Sequence, residues 1–420
     1  LTSGFVDVWF TDSWLGQRYG TLPLDLNFLI LRWLKFPLSL NQLFSLNLFI
    51  AAIGMYLLLR TLRLNTPACL VGGIGYMLTN TVITLVLPGH VSKVMTCAWL
   101  PFSMLFFLKG LQTHRLRDHL ISGAFLGLAL LGWEVQICYY LGLWYATWLL
   151  LFLWSQWRLG LLNPQAAVKH AASLFLVAIC ALVLGFSTTV HSLNYLGGNT
   201  LAVAAEPEKN WHFVTQFYFP PEEVLSYLTT IQFFGAPQAY WGRDGNPTPL
   251  RLCDDYMGLL PLGFAILGGI VCWRVWQARL FVIMGIGSLL ASFGREGGLY
   301  WLLYQLPTMK SQRNPHRWSY FVSLAVCVLA AYGVDWLVKR LRQSRDTAHG
   351  SRVTEEVSAG GSTDARDRVP PSSSAHATPN WMTWQRILFA LVIAGLVLFV
   401  LALVLLWRLQ PVAEFFYAPG

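Results

Sequence analysis

Ten apolar runs, almost free of charged residues, dominate this sequence. They fall at 43–59, 68–87, 97–108, 121–133, 137–154, 171–190, 256–273, 280–293, 318–338 and 387–407. A helix rises about 1.5 Å per residue and a bilayer's hydrocarbon core is about 30 Å thick, so a run of about 20 residues suffices to cross it. The third, fourth and eighth runs are short, and such runs also suit tilted or re-entrant segments that line a cavity. The composition agrees: 55% of the 420 residues are hydrophobic and 12% are charged, against about 25% charged in an ordinary soluble domain. That balance excludes a water-facing enzyme and a disordered chain. The expected fold class is an all-α integral membrane protein of about ten transmembrane helices.

Charge gives the runs a direction. Arg60 and Arg63, then Lys109, Arg115 and Arg117, then Arg158 and Lys169, then Arg274 and Arg279, then Lys339, Arg340, Arg342 and Arg345 fall in alternate connections, all on one side. The positive-inside rule makes that side cytoplasmic. It holds 17 Lys/Arg and 7 Asp/Glu, and the other side 12 and 13, so the formal charge of +9 divides into +10 inside and −1 outside. The basic excess is thus a topology signal, and nucleic acid is not an expected partner. Membrane lipids are. With Leu1 outside and no signal-peptide pattern before the first run, a further span upstream is expected.

The chain divides into a polytopic membrane core at 1–340, a Ser/Gly/Pro-rich flexible cytoplasmic linker at 341–380, and a last transmembrane helix with an outer tail at 381–420. The long outer connection at 191–255 reads as a small mixed cap, in which Pro220, Pro221, Glu222 and Glu223 spell a turn and a helix start. Seven cysteines, most of them in or beside apolar runs, give no disulfide framework or metal-binding spacing. No internal repeat, Gly-rich nucleotide loop, Ser-His-Asp order or HExxH pattern is present.

Three outer segments carry candidate chemistry. In Leu87-Pro88-Gly89-His90-Val91-Ser92-Lys93, His90 and Lys93 stand three residues apart between two spans. They suit an anionic headgroup, and equally an interfacial cap with a snorkelling lysine. Glu134, between two apolar runs, suits a general base or a metal ligand, or caps the next helix. Lys310, Arg313, His316 and Arg317 concentrate cations on the side where the charge rule disfavours them. Guanidinium forks match phosphate oxygens, so Arg313 and Arg317 read as a clamp for a phosphate; attraction to anionic lipid heads is the alternative. The outer acids Asp7, Asp12, Asp244, Asp254 and Asp255 are further base or metal candidates that no spacing ranks.

Seven stretches together resemble the bacterial YfhO-type membrane proteins: GHVSKVMTCAWLPF (89–102), EVQICYY (134–140), NWHFVTQFYFPPEEVLSYL (210–228), FFGAPQAYWG (233–242), DYMGLLPLGFAILG (255–268), SFGREGGLYWLLYQLPTMKSQRNPHRW (292–318) and LAAYGVDWL (329–337). Their order and approximate spacing match over about 22–337. The resemblance implies a GT-C-like fold with an extracytoplasmic cap. It also implies a glycosyltransferase of the bacterial inner membrane that moves a sugar from a polyprenyl-phosphate carrier to a cell-envelope acceptor. Gly89, His90, Ser92 and Lys93 match a recurring GHxSK element, and Arg313, Pro315 and Arg317 an RxPxR-like one. Relatives often carry His where this chain has Glu134. GT-C enzymes place a key acid in the first outer loop, of which Asp7 and Asp12 would be the remnant here. The catalytic candidates are therefore Asp7, Asp12 and Glu134, and the phosphate-binding candidates His90, Lys93, Arg313, His316 and Arg317. A divalent metal stays open as cofactor, and so do other membrane subunits as partners in a non-catalytic alternative. A lipid-linked-glycan transporter ranks last, because mid-span positions are nearly all apolar.

Overall fold

The structure, a computed structural model, describes residues 8–10, 17–19, 40–86, 90–160, 164–186, 188–189, 207–229, 255–306 and 308–359. The chain divides into two compact units, Leu1–Gly350 and Ser351–Gly420. A short antiparallel hairpin, β1 (Val8–Phe10) with β2 (Gln17–Tyr19), pairs Trp9 with Arg18. Everything else described is helix, turn or connecting loop. The helices are α1 (Leu40–Thr61), α2 (Thr66–Met77), α3 (Asn80–Ile83), α4 (Val91–Thr113), α5 (Leu116–Leu131), α6 (Val135–Arg158), α7 (Pro164–Leu184), α8 (Pro207–Val214), α9 (Leu259–Val271), α10 (Trp276–Ser292), α11 (Leu299–Tyr304) and α12 (Ser319–Ala359).

Among the described residues, five stretches are long and apolar enough to cross a membrane: Leu43–Thr61, Val91–Thr113, Val135–Arg158, Ala167–Leu184 and Pro315–Ser344. Two shorter apolar helices, α9 and α10, accompany them. These mark a membrane protein. The apolar run at 68–87 does not form one helix: it stops at Met77 and restarts at Asn80, where Thr79, Asn80 and Thr81 interrupt the apolar residues. The run at 97–108 is the core of a longer helix, because α4 begins at Val91 and its first turn carries a buried lysine, Lys93. The stretch read as linker opens as helix. Residues 341–359 continue α12, their Gln, Arg, Ala and Glu residues being good helix formers with no proline before Pro370. The last apolar run, most of the linker and most of the cap lie outside the described residues.

Polar atoms inside the bundle are matched across helices. Pro101, inside α4, has no N–H for the Cys97 carbonyl four residues earlier. The Tyr76 hydroxyl of α2 donates to that carbonyl at 3.0 Å. Ser103 of α4 and Ser122 of α5 each donate to the other's backbone carbonyl at 2.9 Å, and Tyr145 of α6 donates to the Ser103 hydroxyl at 2.7 Å. Helices α9 and α12 cross at two glycines. A Cβ on Gly268 would lie 2.1 Å from the Leu329 carbonyl oxygen, and one on Gly333 2.2 Å from that of Phe264. Only glycine permits this approach.

The connections between helices are tied by polar contacts. The N–H of Asn65, which caps α2, donates to Asp335 of α12 at 2.7 Å, and Lys339 pairs with the same carboxylate at 2.7 Å. Asp118 accepts from Thr113 at 2.8 Å and faces Lys109 at 3.8 Å, while His114 meets His170 at 3.0 Å. The opposite ends of the same helices carry the candidate site.

Candidate functional site

Two left-handed turns set the site's main ion pair. Trp133 takes φ +70°, a rare conformation for a bulky residue, and delivers Glu134 to the start of α6. The preceding Gly132 is pressed against α4, where a Cβ would lie 2.5 Å from the Thr96 hydroxyl. Asn314 takes φ +73° and starts the 3₁₀ turn Pro315–Trp318 that leads into α12. Between the turns, Arg317 Nη1 donates to Glu134 Oε2 at 2.6 Å, with the carboxylate side chain 10% exposed and the guanidinium 24%. Glu134 stands at the N-cap position of α6, yet its side chain makes no capping bond. It faces the arginine, and the capping alternative drops out.

A second buried pair lies on the same turn. His316 Nε2 is 2.7 Å from Asp255 Oδ2, and Thr81 donates to Asp255 Oδ1 at 2.9 Å. Thr81 and Ser323 share a hydroxyl contact of 2.6 Å. The His316 ring stacks on Phe219 with centroids 5.5 Å apart, and its backbone N–H donates to the Phe217 carbonyl at 3.2 Å. Glu223, on the 3₁₀ turn Pro221–Tyr227, is buried near this pair. Burial pushes its carboxyl pKa from the ordinary 4.5 up to about 7, with Asp255 and Glu222 adding to the rise and His316 opposing it.

Aromatic and amide groups hold the rest. The Arg313 guanidinium lies over Phe217 at 4.8 Å and Phe213 at 5.3 Å. Gln136 of α6 donates to the Arg313 carbonyl at 2.7 Å. Tyr140 stacks on Trp318 with centroids 3.9 Å apart. Asn210 of α8 donates to the Lys310 carbonyl at 3.1 Å and accepts from the Tyr304 hydroxyl at 2.5 Å. Burial lowers the His90 pKa, and the positive charges of Lys93 and Arg317 lower it further while Glu134 opposes them. His90 is therefore neutral at neutral pH and able to donate or accept one hydrogen bond.

The structure thus gathers His90, Lys93, Glu134, Arg313, His316 and Arg317 at one end of the bundle, where α4, α6 and α12 begin. Asp7, Asp12, Asp244 and Asp254 lie outside the described residues. Sequence reading missed Thr81, Gln136, Glu223 and Ser323, and did not rank Asp255. The partners of the ion and hydroxyl contacts stand 61 to 242 residues apart, so no local spacing announces them. Among the described residues, no group of three His, Cys, Asp or Glu side chains is arranged to hold a metal ion.

Several buried polar atoms here have no hydrogen-bond partner among the described residues: Arg317 Nε, Asn314 Oδ1, Trp318 Nε1 and Ser319 Oγ, with Ser226 Oγ and Tyr227 Oη on the 221–227 turn. Buried polar groups normally find partners. Chemically, the arrangement offers fixed cations, a neutral imidazole and three buried carboxylates within one small region. It can bind an anion and accept a proton. Compared with known proteins, the chain matches no family model and no curated sequence.

Proposed function

We infer that the chain is a GT-C-like membrane glycosyltransferase that takes a sugar from a polyprenyl-phosphate carrier. In this reading about ten helices span the bacterial inner membrane, the basic connections face the cytoplasm, and the site with its cap faces outward. The observation that carries it is the meeting of Arg317, Lys93 and His90 with Glu134, beside Arg313 and the Asp255–His316 pair.

In the reaction, Arg317, Arg313 and Lys93 neutralise the phosphate as it leaves, and a neutral His90 adds a hydrogen bond. The bond between the sugar's anomeric carbon and the phosphate oxygen breaks, and its electrons stay on the phosphate. The acceptor hydroxyl oxygen bonds to that carbon and yields its proton to a carboxylate, Glu134 or an acid of the first outer loop such as Asp7 or Asp12. Lipid and sugar donor are thus the partners, the envelope polymer the acceptor.

The test is sugar transfer from a synthetic polyprenyl-phosphate donor by purified protein. Replacing Arg313 and Arg317 together by Gln should lower the rate at least about 100-fold while the protein stays folded; unaltered transfer would refute the clamp. A second reading, a non-catalytic membrane subunit, draws on one observation: Arg317 and His316 each already face an internal carboxylate. Such pairs can simply fasten helices together. Isolation only within a stable complex, with no lipid-phosphate binding, would favour it.

A further inference from the structure

We propose that the Glu134 carboxylate is an internal stand-in for the ligand's phosphate: the phosphate takes over Arg317 from Glu134, and binding exchanges one anion for the other. Naming the anion as a phosphate rests on the lipid-donor reading above; the exchange itself rests on the geometry alone.

The geometry is specific. A carboxylate oxygen sits 2.6 Å from one arm of the guanidinium, the distance of a charge-assisted bond. The contact uses Nη1 only, and Nε is buried with no partner among the described residues. A tetrahedral anion with three outer oxygens can bridge Nη1 and Nη2, the outer fork of the guanidinium, where the carboxylate oxygen engages Nη1 alone. Lys93, Glu134 and Arg317 all act electrostatically on His90, so an anion arriving at Arg317 meets the further positive charge of Lys93 beside a neutral imidazole.

Glu134 also makes no side-chain bond to the helix it begins. It occupies an N-cap without capping, and it is held there by a left-handed tryptophan. Strain of this kind gathers at functional sites. The Arg317 side of the contact rests on a second left-handed residue, Asn314, whose Oδ1 is buried without a partner among the described residues. Two strained turns therefore face each other across one ion pair. The pair can open without dismantling a helix, because Glu134 precedes α6 and Arg317 precedes α12.

An internal competitor reduces apparent affinity by the fraction of molecules in which it occupies the site. Removing its charge should then tighten binding, whereas a Glu134 that merely orients Arg317 for the ligand would give weaker binding on the same change. The experiment titrates the full chain in detergent with two probes, inorganic pyrophosphate and a short-chain polyprenyl monophosphate. Glu134→Gln should bind at least about tenfold tighter than the wild type, and Glu134→Gln with Arg317→Gln should lose that gain. A larger gain with the lipid probe assigns the site to a lipid headgroup; an equal gain with both assigns it to a free phosphate group. Affinity unchanged or weakened in Glu134→Gln, or no binding of either probe to it, overturns the proposal.

A second measurement covers the case in which Glu134→Gln does not fold. Carbodiimide labelling of Glu134 in the wild-type protein, read by mass spectrometry, should rise when the polyprenyl monophosphate is added. Labelling that does not change overturns the exchange. Tightened binding in Glu134→Gln with no sugar transfer by the wild-type protein would contradict the glycosyltransferase reading and leave the exchange standing; transfer by the wild type without tightening in the variant would do the opposite.

Discussion

Glu223 shows how burial gives a side chain a role in pH dependence. The folded chain holds its proton up to about pH 7, whereas an unfolded glutamate releases it near 4.5. Folding therefore binds an extra proton between those values, and stability falls as the pH rises through that window. Glu223→Gln, which cannot ionise, should leave the melting temperature in detergent nearly unchanged at pH 5 and raise it at pH 8, by a stability on the order of 1–3 kcal/mol. An equal effect at both pH values would contradict this role for Glu223. At this scale the sequence is half legible. His90, Lys93, Arg313, His316 and Arg317 stand out because polar residues beside apolar runs are costly unless used. Their pairing does not. Asp255 and Glu134 meet their cations only through folding, across 61 and 183 residues, and Glu223 looks in sequence like any acid at a helix start.

Helices behave the same way at a larger size. Apolar runs located α1, α6, α7 and α12, since lipid-length hydrophobicity is a property of composition. They misplaced ends wherever polar residues were buried. The run at 68–87 splits at Thr79 and Asn80, and α4 starts six residues before the run at 97–108, at Val91, because both places contribute to the polar site and not to the lipid face. Close crossings were not legible either, as a glycine in an apolar run gives no sign of what lies against it. Gly268 and Gly333 do so in the structure, where α9 touches the backbone of α12. Gly268→Val should separate these helices and cost at least about 2 kcal/mol, seen as a lower melting temperature in detergent. The same change at Gly263, whose Cβ would meet nothing within 4 Å, should cost far less. Equal losses at the two positions would show that close packing at Gly268 does not hold α9 to α12.

Across the whole molecule, the alternation of basic connections turns into a physical separation. Asn65, Asp335 and Lys339 are joined at one end of the helices, and Thr81, Asp255 and His316 at the other. The sequence rule anticipates that separation because each crossing reverses the chain direction. It does not tell that Lys310 and Arg313 would face aromatic rings and Arg317 a carboxylate. That pairing gives the proposed phosphate clamp its own internal anion, and it decides which experiment is most direct. A density map of the protein bound to a short-chain polyprenyl phosphate would show the headgroup itself. Phosphate density is expected within hydrogen-bond reach of Arg317, with Glu134 moved off the guanidinium. A phosphate bound elsewhere, with the Arg317–Glu134 contact still closed, would contradict the proposed site.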